Sequence, residues 1–249
     1  MSDSATVTAR EVSAQAESLA ACCRRLHGGG LLAGAEGNCS LRLRDGTLLV
    51  TASGVDKATI GPLQILRRHA DGTECHTEDS TRVMRDTLPR DSQQRPSSEL
   101  RMHVGIYRER GDVMAIVHAH PPVATGFATA GRTIPANVLP EVPVVVGPVA
   151  LVPYGRPGTE ALSEAIAPFV ADHEVFLLAN HGVTVVGRSL TDAMVRMESV
   201  EQAARILLVA ELLGGPRVLP VSESSALASL WGGPTSRTFS GTHSTDALS

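Results

Sequence analysis

Apolar residues recur along the chain with two spacings, one typical of helices and one typical of strands. Across residues 10–26 they return every three or four positions, which predicts an amphipathic helix that ends at Gly28-Gly29-Gly30. Strict alternation across residues 37–44, a turn at Asp45-Gly46 and a second apolar run predict a β-hairpin. The helical spacing also predicts helices over residues 97–110, 123–130, 159–170 and 190–213.

Short apolar runs predict further strands over residues 113–117, 142–152 (broken at Gly147-Pro148), 175–179 and 183–186. Residues 62–72 predict a helical turn and a strand. Strands that alternate with helices indicate an α/β protein. We expect one domain over residues 10–213, an N-terminal tail over 1–9, an irregular C-terminal tail over 214–249 and a polar surface loop over 73–95.

The composition narrows the kind of partner. The 249 residues carry a net charge of −4 and no basic run, so we expect no nucleic-acid partner. No apolar stretch reaches the length of a membrane span, and the N-terminus lacks the apolar core of a signal peptide, so we expect no membrane partner and a cytoplasmic location. The cysteines lack a C-x-x-C spacing and predict free thiols: Cys22, Cys23, Cys39 and Cys75.

Three histidines stand at the ends of predicted strands. His118 and His120 can face one ion because side chains at i and i+2 of a strand share a face. His181 follows another strand, and Gly182 is expected to let the backbone turn sharply. Three neutral imidazoles suit Zn²⁺, or another divalent metal such as Co²⁺ or Mn²⁺. The remaining histidines lack such a setting and are expected to be surface or structural residues: His27, His69, His76, His103, His173 and His243.

Small hydroxyl residues in three turns are candidates for an anion pocket, although each turn also fits an ordinary cap. The turns are Gly37-Asn38, residues 51–54 and Ser97-Ser98. Ser97 and Ser98 begin a predicted helix, where free N–H groups and the helix dipole favour phosphate. Glu99 follows directly, either as a structural capping-box glutamate or, beside a metal, as a ligand or general base.

Taken in order, the motifs G-N-x-S, T-x-S-G, S-S-E, H-A-H-P and N-H-G resemble the class II aldolase/adducin family over residues 10–213. This resemblance implies a three-layer α/β/α domain with a central, mostly antiparallel sheet, and a homotetramer with active sites at subunit interfaces. It makes His118, His120 and His181 zinc ligands, and Glu99 the catalytic residue, which also ligates the metal when substrate is absent. It places the substrate phosphate at a set of five residues: Asn38, Ser53, Gly54, Ser97 and Ser98.

Departures from particular subfamilies favour an aldolase. Residues 137–141 do not resemble the H-A-D-Y-F segment of ribulose-phosphate 4-epimerases, and Ser97-Ser98-Glu99 differs from the T-K-E segment of sugar-acid-phosphate decarboxylases. The resemblance thus implies a zinc-dependent aldolase that cleaves a ketose 1-phosphate, of the deoxy-ketose type, to dihydroxyacetone phosphate and an aldehyde. Alternatives are a ketose-phosphate dehydratase or other lyase on the same scaffold, and a non-catalytic adducin-like assembly module.

One catalytic group stays open. The family's tyrosine acid is replaced here by Leu139, so the acid that protonates the aldehyde oxygen is Glu141, Tyr154 or a group from the C-terminal tail.

Overall fold

A computed structural model describes residues 7–75 and 95–230. The helices are α1 (Ala9–Gly28), α2 (Leu100–Glu109), α3 (Pro122–Thr129), α4 (Glu160–Val170), α5 (Leu190–Leu212) and α6 (Val221–Ala228). The strands are β1 (Asn38–Arg42), β2 (Leu48–Thr51), β3 (Ile65–Arg68), β4 (Ala115–Ala119), β5 (Val149–Val152), β6 (Val175–Leu178) and β7 (Gly182–Gly187). A 3-10 turn spans Pro62–Gln64, and a π-helical turn spans Val142–Val146.

The seven strands form one sheet in the order β3-β2-β1-β4-β7-β6-β5. Strand β5 runs parallel to β6, and the other neighbouring pairs are antiparallel. The sheet is therefore mixed, which corrects the expectation of a mostly antiparallel sheet. The physical reason is α4, which carries the chain back across the sheet between β5 and β6, as a parallel connection requires.

Helices cover both faces of the sheet, which confirms the α/β/α layers. One buried cluster joins α1, α3 and α5 to one face, and a second joins α2 and α4 to the other. Along β4, Val117 packs into the first cluster and Ile116 into the second. Because side chains alternate along a strand, His118 projects from the same face as Ile116, toward α2.

Two predicted segments differ from the structure. Residues 142–146 were expected to be a strand but form the π-helical turn, since Pro143 cannot donate to a strand ladder and Gly147 has a φ of 75°. The C-terminal tail was expected to be irregular, yet α6 lies within it and packs near that turn, with Leu219 N–H donating to the Asn137 carbonyl at 2.7 Å.

At the N-terminal end of the chain, Thr8 caps α1 in a capping box with Glu11.

Other expectations fall partly outside the described residues. Residues 1–6, 76–94 and 231–249 are not described, so most of the predicted loop over 73–95, His76, His243 and the ends of both tails lie there. Within the described ranges, no helix is long and apolar enough to cross a membrane. All four cysteines are free and buried.

Candidate metal centre

His118 lies fully buried near the end of β4. Its Nδ1 is 3.0 Å from both the Val183 carbonyl oxygen and the Thr184 hydroxyl. Because a carbonyl oxygen can only accept a hydrogen bond, we assign the ring proton to Nδ1. Nε2 then carries a lone pair that can bind a metal. Burial lowers the pKa of His118 to about 3, so the ring is neutral at pH 7, as a metal ligand must be.

His120 and His181 bring their rings against His118 from two further segments. Strand β4 ends at Ala119, so His120 lies just beyond the strand on which it was expected, and its Nε2 is 3.3 Å from that of His118. His181 lies in the turn between β6 and β7. One ligand atom from each of the three histidines lies within 4.8 Å of the others.

Gly182 leaves room for the histidine rings, and it is not the residue that bends the backbone between β6 and β7. The positive φ of this turn belongs to Asn180, at 54°. A Cβ on Gly182 would lie 2.5 Å from Cδ2 of His120 and 2.7 Å from the Ala119 carbonyl oxygen. The expectation that Gly182 permits a sharp turn was therefore wrong: the residue is small because β7 passes directly against the imidazoles.

Glu99 completes the cluster from the start of α2. It is 8% exposed, and it makes no side-chain cap for the helix that it precedes. Its Oε1 lies 3.0 Å from His181 Nε2 and its Oε2 3.3 Å from His118 Nε2. The capping-box alternative is thereby excluded, because the carboxylate faces the histidines.

The carboxylate of Glu99 is held in its charged form. Burial alone would raise its pKa, but the hydrogen bond with His181, the charge interactions with His118 and His181 and the hydrogen bond from Asn38 lower it to about 2. The Asn38 amide donates to Oε2 at 2.7 Å. At neutral pH, Glu99 is therefore an anion that faces neutral His118.

These donors fit a divalent cation. Two imidazole nitrogens 3.3 Å apart face each other, and both cannot accept without a proton or a cation between them. Three imidazole nitrogens and one carboxylate are a ligand set that Zn²⁺, Co²⁺ and Mn²⁺ accept. The cluster can therefore bind a divalent metal, whose identity the side chains alone do not select.

Backbone contacts connect the segments that carry the five expected phosphate residues. Ala52 pairs with Pro96 in a short bridge, in which Ser53 N–H donates to the Arg95 carbonyl at 2.8 Å. This bridge brings the exposed Ser53-Gly54 turn beside Ser97 and Ser98, directly before Glu99. The fifth residue, Asn38, is buried and faces Glu99.

Two supporting contacts were missed at the sequence level. Glu36 Oε2 lies 3.2 Å from His120 Nδ1, and Thr184 holds Nδ1 of His118. The sequence signal for the first contact is an acidic residue directly before Gly37-Asn38. Thr184 gave no signal, because a threonine in a strand is ordinary.

Comparisons with known proteins agree with this geometry. Residues 17–208 match the family model described as "Class II Aldolase and Adducin N-terminal domain". The chain is 35% identical over 184 residues to the 3-oxo-tetronate 4-phosphate decarboxylase of Escherichia coli K12, covering 72% of this chain and 79% of the relative. It is 30% identical over 214 residues to the 5-deoxy-D-ribulose 1-phosphate aldolase of Bacillus thuringiensis, covering 85% of this chain and 92% of the relative.

Solved structures resemble the whole fold. An L-fuculose 1-phosphate aldolase aligns with a TM-score of 0.74 at 29% identity, covering 87% of this chain and 95% of the other. YgbL of Escherichia coli, described as an aldolase, epimerase or decarboxylase, aligns with a TM-score of 0.76 at 29% identity. The alignment covers 88% of this chain and 99% of YgbL.

Proposed function

The chain belongs to the class II aldolase and adducin family and is a lyase, and we propose that it is a metal-dependent aldolase that cleaves a ketose 1-phosphate, of the deoxy-ketose type, to dihydroxyacetone phosphate and an aldehyde. The observation that carries the proposal is the carboxylate of Glu99, which faces the Nε2 atoms of His118 and His181. Ser97 and Ser98, which we propose as phosphate-binding residues, directly precede it in the chain.

His118, His120 and His181 would hold the metal, with Glu99 as a fourth ligand before substrate binds. Zn²⁺ is the ion we propose, with Co²⁺ or Mn²⁺ as substitutes. The ion would supply Lewis-acid stabilisation of the negative charge that develops on the substrate's carbonyl oxygen when the carbon–carbon bond breaks.

Glu99 would carry the proton at the reacting carbon. Its carboxylate is ionised, so it can accept a proton, and the substrate's oxygens would displace it from the metal. Before substrate binds, Asn38 holds Oε2 of Glu99 at 2.7 Å. For cleavage, Glu99 would take up a proton from water after its displacement and would give that proton to the carbanion left on the phosphate-bearing fragment.

The phosphate would bind to Ser53, Gly54, Ser97 and Ser98, and to Asn38 if its amide turns from Glu99. Ser98 is exposed, and Gly54 has a φ of 71°, which opens backbone N–H groups toward an anion. Ser97 and Ser98 directly precede Glu99 in the chain. A phosphate bound there would therefore place the adjacent carbons of the substrate beside the metal ligands.

The group that exchanges the proton at the aldehyde oxygen keeps its three alternatives. It would accept the proton of the substrate's hydroxyl during cleavage and would donate it in the reverse reaction. Glu141 and Tyr154 are exposed, Tyr154 by 60%, so either requires a further surface over it to exclude water. The C-terminal alternative reaches beyond residue 230, where the described part of the chain ends. A homotetramer with interfacial active sites would provide such a surface, and apolar side chains at the end of α5 are exposed for it, among them Val209, Leu212 and Leu213. A cytoplasmic location accompanies this proposal.

A second candidate is the decarboxylation of a 3-oxo acid phosphate. The relative at 35% identity carries a name of this kind, which favours a decarboxylase as the second candidate despite the Ser97-Ser98-Glu99 segment. Aldol cleavage and decarboxylation both leave a carbanion next to a carbonyl group. The same metal and the same Glu99 would serve either reaction, and the leaving fragment distinguishes them.

Mass spectrometry with three substrates separates the two candidates. The purified chain is incubated with Zn²⁺, Co²⁺ or Mn²⁺ and with 5-deoxyribulose 1-phosphate, fuculose 1-phosphate or 3-oxo-tetronate 4-phosphate. Dihydroxyacetone phosphate from a ketose substrate supports the aldolase, whereas carbon dioxide from the oxo acid alone supports the decarboxylase.

Glu99→Gln provides the matched control for this assay. We expect it to bind metal while turnover falls by roughly 10²- to 10⁴-fold, the usual contribution of a general acid–base group. Near-normal turnover of Glu99→Gln would contradict the role of Glu99 in either reaction.

A further inference from the structure

The N-terminus of α3 follows the metal-binding segment at once and has no local cap. Its N-cap and first helical residues are Pro121 and Pro122, which carry no backbone N–H, and Pro121 makes no side-chain cap. Thr125 N–H already donates to the Pro121 carbonyl at 2.9 Å. The free donors of this helix start are therefore the N–H groups of Val123 and Ala124.

Both donors bind one carboxylate, which comes from α5. Val123 N–H lies 3.1 Å and Ala124 N–H 2.9 Å from Oε2 of Glu201. Glu201 is 2% exposed, and Arg205, one turn further along α5, donates to its Oε1 at 2.8 Å. A buried anion here is stabilised by two N–H groups, the positive end of the helix dipole and one guanidinium.

The cap by Glu201 anchors the chain just after the end of β4, where pairing with β7 no longer fixes the backbone. Ladder pairing with β7 fixes His118 and Ala119, but β4 ends before His120. Among the described residues, the backbone of His120 makes one hydrogen bond before the two prolines lead into α3, from its N–H to the Leu31 carbonyl at 3.2 Å. The position of His120 therefore depends on where the start of α3 is anchored.

We propose that Glu201 is a positioning residue for the metal centre, which places His120 by capping α3 from α5. Glu36 holds the ring of His120 through Nδ1, whereas Glu201 holds the main chain that carries it. The carboxylate acts through backbone N–H groups, and within the described part of the chain its hydrogen bonds go to Val123, Ala124 and Arg205 and not to a proposed metal ligand. The inference rests on the proposed metal site and adds a residue that no motif of the chain includes.

The variants Glu201→Gln and Glu201→Asp test this role. Glutamine keeps the shape but loses the charge and one acceptor oxygen, and aspartate keeps the charge but is shorter by one methylene. The matched control is Ser189→Ala, which removes the side-chain cap of α5 itself, a 3.1 Å hydrogen bond to Asp192 N–H, at the far end of β7 from the histidines. All variants are compared as full-length chains at a temperature where circular dichroism shows them folded.

The main readout is Co²⁺ affinity, followed by the visible absorption of the bound ion. We expect Glu201→Gln to weaken Co²⁺ binding by roughly 10- to 100-fold, as loss of a supporting partner usually does, and Glu201→Asp to weaken it less. Ser189→Ala should bind Co²⁺ as the wild-type chain does. Hydrogen exchange at Val123 and Ala124 should accelerate in Glu201→Gln and not in Ser189→Ala.

The outcomes separate this inference from the metal site on which it rests. Wild-type affinity in Glu201→Gln, or an equal loss in Ser189→Ala, would overturn the positioning role and leave the metal site standing. A wild-type chain that binds no Co²⁺ or Zn²⁺ would overturn the metal site, and with it any role of Glu201 toward it.

Discussion

Charged side chains are buried at both ends of strands β4, β6 and β7, but their partners differ: at one end carboxylates pair with arginines, and at the other a carboxylate faces histidines. At the end where β6 begins, Arg196 lies 2.7 Å from Glu174, and Arg110 lies 2.7 Å from Asp112. Arg196 also donates to the Val186 carbonyl at 2.6 Å. Within the described part of the chain, each of these charges has an opposite charge as its neighbour, and we call this group the ion-pair end.

At the end where β6 finishes, the histidines and Glu99 form the metal end. Its carboxylate faces imidazoles, of which His118 is neutral. Among the described residues, the buried side-chain atoms without a hydrogen-bond partner include Oδ1 of Asn38 and Nδ1 of His181 at this end, and Oε2 of Glu174 at the ion-pair end. Oε2 of Glu174 still has the charge of Arg196 2.7 Å away, whereas Oδ1 of Asn38 and Nδ1 of His181 lie beside the ligand atoms. Buried polar atoms are normally paired, so unpaired ones in a cluster of ligand atoms indicate a site built for something other than the fold itself.

The difference between the two ends teaches which buried charges stabilise the fold and which are kept for a ligand. Losing one partner of a buried ion pair leaves the other charge uncompensated, so the ion-pair end should govern stability. The metal end should govern metal binding and turnover. Changes made at one end should leave the property of the other end unchanged.

Removing the metal should have the largest effect. We expect a chelator to abolish turnover, because no charged side chain at the metal end replaces the Lewis acid, while the ion-pair end keeps the chain folded. Turnover and circular dichroism are measured before and after chelation, and again after Zn²⁺, Co²⁺ or Mn²⁺ is restored. Full turnover of a chain shown to be metal-free would contradict the metal centre.

Replacing Glu174 by alanine should produce the largest loss of stability. Arg196 would lose its 2.7 Å partner and keep only the partly exposed Asp192 at 3.2 Å, so we expect a loss of about 3 kcal/mol of unfolding free energy, the lower end of the cost of breaking a buried ion pair. Urea denaturation measures the loss, and Co²⁺ titration of the folded variant should give the wild-type affinity. A selective loss of metal affinity would show that the two ends are not independent.

His103 allows a test by pH of a third, neutral cluster. This histidine is buried as expected for a structural residue, with Nδ1 2.7 Å from the Ser40 hydroxyl, and burial lowers its pKa from 6.5 to about 4. Since the unfolded chain binds the proton more readily, the stability that neutral His103 contributes is present above pH 6.5 and is lost as the pH falls through 4.

The expected loss is up to about 3 kcal/mol for a pKa shift of this size. Urea denaturation of metal-free wild type and His103→Gln at pH 7.5 and 4.5 measures it, because all other titrating groups are shared. We expect the wild type to lose more stability than the variant. An equal loss in both would exclude His103 as a source of acid sensitivity.

The two glycines at the ends of β7 give the most sensitive test. A Cβ on Gly182 would lie 2.5 Å from the His120 ring, whereas a Cβ on Gly187 would lie 2.5 Å from Ala193 N at the start of α5. Gly182→Ala should weaken Co²⁺ binding by about 100-fold, equivalent to about 2.7 kcal/mol, by displacing a ligand. Gly187→Ala should lower stability and keep metal affinity. Identical behaviour of the two variants would contradict the division.

Much of the metal end was predictable from local sequence. His118 and His181 follow short apolar runs of the length typical of buried strands, and Glu99 follows two serines that precede a helix. The valine-rich residues 142–146 were misassigned, since β-branched composition favours a strand while one proline and the following glycine decide otherwise. The mixed sheet also escaped prediction, because strand direction depends on how α4 crosses the sheet.

By itself, the sequence determined the family, the α/β class and the residues that can bind a divalent metal, because these follow from residue types in short, ordered motifs. Only the tertiary structure decided which residues support them. Glu36 reaches His120 across 84 positions, and Glu201 reaches the start of α3 across 77. No local spacing encodes such contacts. They form when α5, which carries Glu201, and the segment before β1, which carries Glu36, pack against the sheet. Gly182 shows the same limit, since its small size is required by imidazoles that only the folded sheet brings against it.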